Sequence, residues 1–441
     1  MQPIDTLITA RWVVPVEPAG VVYDGYAVAI HQGRIVSLLP ADEARRRYDP
    51  IIERALPSHA LIPGLVNAHT HAAMTLFRGL ADDLPLMEWL SEHIWPAEGR
   101  WVSDEFVQDG TRLAVAEMLR GGTTCFNDMY FFPEDTARVA SSIGMRAVVG
   151  LILIDVPTVW ARDAEEYLAK GLDVHDRFRA DPLVHTAFAP HAPYTVSDGA
   201  LARIATLAEE LDFPVHMHVH ETADEVRGAL DRHGARPLAR LERLGLLTPR
   251  LVAVHMTQLE PAEIERVADC GISVVHCPES NLKLASGFCP VERLLDAGAN
   301  VALGTDGAAS NNDLDMLGEM RTAALLGKAV AGSAGAVDAE TALAMATLHG
   351  ARALGLEDEI GSITPGKSAD LAALDLSAVE TQPVYHPISH LVYAVGRHQV
   401  TDVWVAGRHV LRDRLLTTCD EAELIERARQ WGDRIAGGVN P

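Results

Sequence analysis

The sequence predicts an α/β protein, a (β/α)8 barrel of the TIM type with a small β-sandwich domain formed by both chain ends. Eight short apolar runs alternate with longer helical patterns through the middle of the chain, and β-rich segments stand at both termini. Repeated strand-then-helix order means parallel strands joined by crossovers, and eight such units favour a closed barrel.

Two β-rich runs, Leu7 to Pro15 and Tyr26 to Pro40, open the chain; the second breaks at Gln32-Gly33, where glycine permits a hairpin turn. The eight barrel runs are 61–69, 123–128, 146–154, 183–189, 214–219, 251–256, 272–277 and 300–305. Helical patterns among and after them include Glu105 to Arg120, Asp198 to Leu211, Ala262 to Cys270, Leu314 to Lys328 and Asp338 to Leu354. The β texture returns at Ala369 to Leu376 and at Asp402 to Arg412, which turns at Ala406-Gly407, and an amphipathic helix from Asp420 to Ile435 follows. The expected division is 1–60 for the N-terminal part of the small β domain, 61–360 for a metal-dependent barrel, and 361–441 for the C-terminal part with its helix.

Composition narrows the function. The 441 residues are 48% hydrophobic and 22% charged, as in ordinary soluble globular proteins. With 37 basic against 61 acidic side chains the formal charge is −24, which repels phosphate backbones and anionic lipid and sets nucleic acid and membrane partners aside. The longest apolar stretch, Ala147 to Ile154, ends at Asp155, far short of the ~20 residues a membrane helix needs. MQPIDTLITARW lacks a basic segment followed by an apolar run, so export is not expected. The five cysteines form no CxxC pair and read as reduced packing thiols, which suits a cytoplasmic protein.

A barrel builds its site at the C-terminal ends of its strands, and the candidate residues fall there. The first run, LIPGLVNAHTH, ends in His69 and His71, whose imidazoles share one face because side chains alternate along a strand. The fifth, PVHMHVHET, offers His216, His218 and His220 before Glu221. His218 is the best placed of the three, with His216 one layer deeper and His220 facing away or lining the rim. Run six ends at His255 in VAVHMTQ, and run eight at Asp306 in VALGTDGAASNN. Asp-Gly is also a common turn dipeptide, but five polar candidates at four strand tips argue for a site rather than for turns. Three imidazoles and one carboxylate suit Zn²⁺, with Fe²⁺ as the alternative, and leave a position for water. Such an ion lowers the pKa of bound water from about 15.7 towards 7. Run four, LVHTAFAPHAPY, contains no lysine to bridge a second ion, so one metal is expected. The stretch Gly361 to Ser368 fits GxxxxGK[ST], but it follows a helical pattern, includes Pro365 and runs into a strand, so it reads as a turn and not a phosphate loop.

PGLVNAHTH, the HxHxxE spacing from His216 to Glu221, His255 and GTDGAASNN at 304–312 together resemble the amidohydrolase superfamily. The resemblance is strongest to its 5-methylthioadenosine/S-adenosylhomocysteine deaminases. THAAMTLFRGLADDLPLMEWL, WPAE ending at Glu98, APHAPY around His191, CPESNLKL at 277–284 and PGKSADLAALDL extend it over nearly the whole chain. It implies that His69, His71, His218 and Asp306 bind the metal, that Glu98 holds ribose hydroxyls, that His191 lies near the 5′ substituent and that Ser310 lines the substrate site. It also implies hydrolytic deamination of an adenine ring at C6, with Glu221 protonating N1, Asp306 relaying the proton of the attacking water and His255 orienting it. The segment from Asp82 to Leu90 is placed to cover the site.

Family members that handle the homocysteine carboxylate well carry an arginine shortly after MRA, where an ungapped match puts Leu151; Arg162 is the nearest alternative charge, and its expected fate is a surface ion pair. This favours methylthioadenosine, whose 5′ end is apolar, over S-adenosylhomocysteine, with adenosine as a further candidate substrate. The rival readings are another aminopurine or pterin deaminase or a triazine hydrolase, which have no ribose for Glu98 to hold, and a non-catalytic metal-binding scaffold, which has no need of Glu221 and His255. The partner is a small purine nucleoside, and a homo-oligomer is compatible with the fold.

Overall fold

A computed structural model describes residues 1–438 and contains two eight-stranded sheets. The first is mixed and is drawn from both chain ends. It contains β1 (Gln2–Val13), β2 (Tyr23–His31), β3 (Arg34–Pro40) and β4 (Tyr48–Pro63) with four late strands, β13 (Leu371–Asp375), β14 (Val400–Val405), β15 (Arg408–Arg412) and β16 (Leu415–Leu416). Their order is β16-β15-β14-β13-β4-β1-β2-β3.

Both expected hairpins are present. Gln32 and Gly33 have φ of 51° and 76°, and Ala406 and Gly407 have 48° and 74°, the pair of left-handed residues that matches a turn to strand twist. The sheet folds back on itself until these two tips meet; a Cβ on Gly407 would stand 2.9 Å from the Gly33 Cα, so only glycine fits. Ile8, Val28 and Ile30 from one half share a buried core with Leu371, Ala373 and Trp404 from the other. This is the β-sandwich expected of the chain ends.

The second sheet is parallel throughout and runs in sequence order: β5 (Leu65–Thr70), β6 (Thr123–Asp128), β7 (Arg146–Leu153), β8 (Val184–Pro190), β9 (Val215–Val219), β10 (Leu251–His255), β11 (Ser273–His276) and β12 (Asn300–Leu303). The ring closes where the chain leaving β12 bonds β5, through Asp306 N to His69 O at 3.1 Å and Thr305 N to Asn67 Oδ1 at 3.0 Å. All eight apolar runs are therefore barrel strands, with one refinement. The run 61–69 is two strands, because Leu61 to Pro63 complete β4 in the sandwich before the chain enters β5. Gly64 marks the change of sheet, and a Cβ there would overlap the Thr124 side chain at 2.1 Å.

The helical pattern Asp338 to Leu354 also divides, into Ala339–Met345 and Leu348–Ala353. The break frees the Ala346 carbonyl to accept the Val66 amide of β5 at 2.9 Å. The GxxxxGK[ST] stretch is a turn leading into β13, with Ile35 N donating to Lys367 O at 2.9 Å. Barrel and sandwich are joined by a buried ion pair, Arg146 Nε to Asp370 Oδ2 at 3.1 Å and Nη2 to Oδ1 at 3.2 Å. The terminal helix, Glu421–Gly437, is capped by Asp420 and returns to the barrel, where Trp431 Nε1 donates to Asp109 Oδ2 at 3.0 Å. All five cysteines are free thiols. Among the described residues, no helix is long and apolar enough to cross a membrane.

Candidate active site and metal centre

The strand tips of the barrel bring His69, His71, His218 and Asp306 together, and one ligand atom from each lies within 4.8 Å of all the others. The Nε2 atoms of His69 and His71 stand 3.2 and 3.3 Å from Asp306 Oδ1, and His218 Nε2 stands 3.2 Å from His69 Nε2. Each imidazole is held from behind. His71 Nδ1 contacts Met129 O at 2.6 Å, His218 Nδ1 contacts His191 O at 2.8 Å, and His69 Nδ1 contacts His216 Nε2 at 2.8 Å. A carbonyl accepts only N–H, so the proton of His71 and of His218 sits on Nδ1 and the Nε2 lone pair faces the cluster. His216 is thus the deeper residue that backs His69.

Asp306 is braced as well. Ser280 Oγ and Ser310 Oγ both donate to its Oδ2, at 2.6 and 2.8 Å, which leaves Oδ1 turned to the imidazoles. Ser310 lines the cavity, yet its hydroxyl is engaged with this carboxylate and with Gly307 O. Three neutral imidazoles, one carboxylate and fixed tautomers form a donor set that fits a single Zn²⁺ with an open position.

Backbone strain gathers at the same tips. His220, His255, Met256 and Asp306 have φ of 54°, 76°, 49° and 59°, each costing about 1–3 kcal/mol in a non-glycine residue, and such strain concentrates at functional sites. At His220 the turn aims the ring away from the cluster, where its Nε2 accepts from Leu238 N at 3.2 Å. At His255 it turns the ring inwards, with Nδ1 on Asn281 Oδ1 at 2.9 Å and Nε2 3.9 Å from Glu221 Oε2. Burial raises the Glu221 pKa, and Glu225 Oε2 holds its backbone N–H at 2.7 Å.

These groups open into a cavity of about 870 Å³. Glu98 faces it and accepts from Tyr130 OH at 2.8 Å; burial pushes the Glu98 carboxyl up to about 7, against the opposing pull of that hydrogen bond. His191 also lines it, with Nδ1 3.0 Å from Thr195 Oγ1, and burial lowers its pKa to about 3. Leu86, Trp89 and Leu90 cover the cavity from a helical segment that switches to wider π turns over Trp89–Ile94, just before Pro96, which has no N–H to continue the ladder. The covering segment is tied down by an ion pair from Lys283 to Asp82.

The structure thus brings His71, Glu98, His191, His218, Glu221, His255, Asp306 and Ser310 to one cavity, with His69 beside them in the ligand cluster. Tyr130, Ser280 and Asn281 were not anticipated; Ser280 and Asn281 lie within CPESNLKL, but nothing in that string tells which atom each one bonds. Leu151 does not face the cavity. It packs outward, where a Cβ on Gly171 of the helix Ala164–Phe178 would meet its Cβ at 3.1 Å, while Ile152 and Ile154 line the wall. An arginine at 151 would enter the barrel–helix interface, so this position does not decide recognition of a 5′ tail. Arg162 is 83% exposed and paired with Glu166 at 2.7 Å, the surface fate expected of it.

The Amidohydrolase family model matches residues 60–410. The chain belongs to the amidohydrolase family. It is 50% identical to the 5-methylthioadenosine/S-adenosylhomocysteine deaminase of Teredinibacter turnerae, over 98% of both chains. The protein of that name from Saccharophagus degradans is also 50% identical, over 98% of this chain and 97% of its own. Among solved structures, an adenosine deaminase from Xanthomonas campestris with bound zinc superposes with a TM-score of 0.98, at 59% identity and 99% coverage of both chains. The zinc complex of an atrazine chlorohydrolase from Arthrobacter aurescens TC1 shares the fold, with a TM-score of 0.91 at 21% identity over 97% of this chain and 99% of its own.

Proposed function

We propose that this amidohydrolase is a zinc-dependent deaminase that converts 5′-methylthioadenosine, and with it S-adenosylhomocysteine or adenosine, to the inosine derivative and ammonia. The observation that carries the reading is Glu98, a half-buried carboxylate held by Tyr130 in the same cavity as the histidine–aspartate cluster and Glu221. A free nucleobase or a triazine has no vicinal hydroxyls for such a carboxylate, whereas a nucleoside does. The names borne by relatives at 50% identity support the same substrate class.

His69, His71, His218 and Asp306 would hold the ion, which when bound acts as a Lewis acid and makes a water nucleophile available near neutral pH. The chain's own groups do the rest. Aromatic C6 is a poor electrophile until N1 is protonated; Glu221, whose pKa burial raises, supplies that proton. Asp306 takes one proton of the attacking water as C6–O forms and passes it to the departing amine, so that C6–N breaks and ammonia leaves, while the remaining hydroxyl proton returns to Glu221 as the C6 carbonyl forms. His255, fixed by Asn281, orients the water through Nε2. Glu98 accepts from the ribose hydroxyls, His191 adjoins the 5′ substituent, and the covering segment excludes solvent.

Ammonia release by the zinc-loaded protein, compared on 5′-methylthioadenosine, S-adenosylhomocysteine, adenosine and guanine, tests the reading. Turnover of the nucleosides and not of guanine is expected. Turnover led by guanine favours a nucleobase deaminase, and one metal per chain with no turnover of any substrate favours a scaffold.

A further inference from the structure

Behind the metal cluster, on the helix Met316–Ala331, lies a carboxyl that the deamination does not use. Glu319 is fully buried, stands outside the cavity wall and makes no ion pair among the described residues. A buried carboxyl without a cation is costly unless donors are aimed at it. Two are. Glu279 N donates to Oε2 at 3.3 Å, and Asn311 Nδ2 donates to Oε1.

Both donors adjoin residues that brace the cluster. Glu279 follows Pro278 in the short helix Pro278–Lys283, and because proline has no N–H, the Glu279 amide is the first that this helix has to offer. The next two residues are Ser280, whose hydroxyl donates to Asp306 Oδ2 at 2.6 Å, and Asn281, whose Oδ1 lies 2.9 Å from His255 Nδ1. On the other side, Asn311 follows Ser310, whose hydroxyl donates to the same Asp306 oxygen at 2.8 Å. Asn311 Nδ2 also donates to Thr305 O at 2.8 Å, so its two hydrogens join Glu319 to the residue before Asp306. Asp306 itself has a φ of 59°, a conformation that its surroundings must hold in place. The two serines thus reach one carboxylate oxygen from different loops, after β11 and after β12, and Glu319 is tied to both loops.

We infer that Glu319 is a positioning residue for the metal centre: by fixing the separation of these loops it sets Ser280 and Ser310 on one oxygen of Asp306, leaves the other turned to His69 and His71, and through Asn281 keeps the His255 ring in place. It acts through these residues and touches neither the ion nor the nucleoside. The inference rests on the metal site of the proposed deaminase and extends it to a residue outside the cavity.

The test compares wild type with Glu319→Leu, which removes both acceptors at roughly constant volume, and Glu319→Gln, which keeps one carbonyl oxygen. Competition with a chelator reads zinc affinity, and the visible absorption of the Co²⁺-loaded protein reads ligand geometry, both without turnover. Residues that orient metal ligands typically change affinity or activity by 10- to 100-fold, and one contact further out Glu319→Leu should lower zinc affinity and kcat by about 10-fold each. KM should stay, the Co²⁺ bands should shift, and Glu319→Gln should lie between Leu and wild type. Asn311→Ala, at a half-buried position, cuts the same tie and should shift the bands in the same direction; it decides the matter if Glu319→Leu does not fold. Wild-type bands, zinc affinity and kcat in a folded variant, even one with a lowered thermal midpoint, would overturn the inference and make Glu319 a packing residue. Wild type that holds one ion but deaminates no nucleoside would instead refute the proposed function, and the Co²⁺ bands would still test the brace.

Discussion

Replacing Glu221 by glutamine removes one acidic proton and almost nothing else. Glutamine has the same shape, the Glu225 contact is to the backbone of residue 221 and survives, and the cluster of His69, His71, His218 and Asp306 is untouched. What is lost is the buried acid, 3.9 Å from His255, to which we assign protonation of the substrate ring. Positioned general acids contribute 10²–10⁴ in rate, so kcat of Glu221→Gln should fall by about 10² to 10⁴, or roughly 3 to 5 kcal/mol in the barrier. KM should change little. The assay is steady-state ammonia release, with zinc per chain measured on the same preparation by mass spectrometry. A variant with full zinc and kcat close to wild type would refute the assignment of the N1 proton to Glu221.

Further expectations follow from particular contacts. Tyr130→Phe deletes the hydroxyl that holds Glu98, and should lower kcat/KM for nucleosides by about 5- to 10-fold, chiefly through KM; an unchanged KM would argue against ribose anchoring there. Arg146→Met leaves Asp370 buried and unpaired and should cost about 3–5 kcal/mol in chemical denaturation, while the double variant Arg146→Met/Asp370→Leu should recover much of it. In the sandwich, burial alone would raise the Asp402 pKa, but hydrogen bonds from His409 and Arg54 outweigh it and hold the carboxylate at about 2. A depressed carboxylate contributes stability above its unfolded pKa and loses it as pH falls through the folded value. Asp402 should therefore contribute about 2 kcal/mol that disappears between about pH 4 and 2. The stability difference between wild type and Asp402→Asn should shrink across that window; a constant difference would contradict it.

Much of this molecule is legible in its sequence because barrel strands are short, apolar and regularly spaced, and because chemistry sits at their tips. His69, His71, His218, His255 and Asp306 are recognisable by position alone. The features that escape depend on contacts between distant segments. The apolar run through Gly64 gives no sign that the chain changes sheets there, since both strands are buried. The pattern from Asp338 to Leu354 is helical throughout, and only the demand of Val66 for an acceptor divides it. The roles of Tyr130, Ser280 and Asn281 lie in which atom each one bonds, which no spacing encodes. Leu151 is the sharpest case: side chains alternate along β7, so a one-residue difference in register decides between facing the cavity and facing a helix.

The central claim is hydrolytic deamination at C6 of a nucleoside held by its ribose. Turnover of 5′-methylthioadenosine by the zinc-loaded enzyme in ¹⁸O-labelled water, followed by mass spectrometry of the product, tests it most directly. The account predicts that each product molecule keeps its ribose and its 5′ methylthio group, gains one ¹⁸O on the purine ring and is matched by one ammonia. Free adenine, or a product with no label in the base, would contradict it.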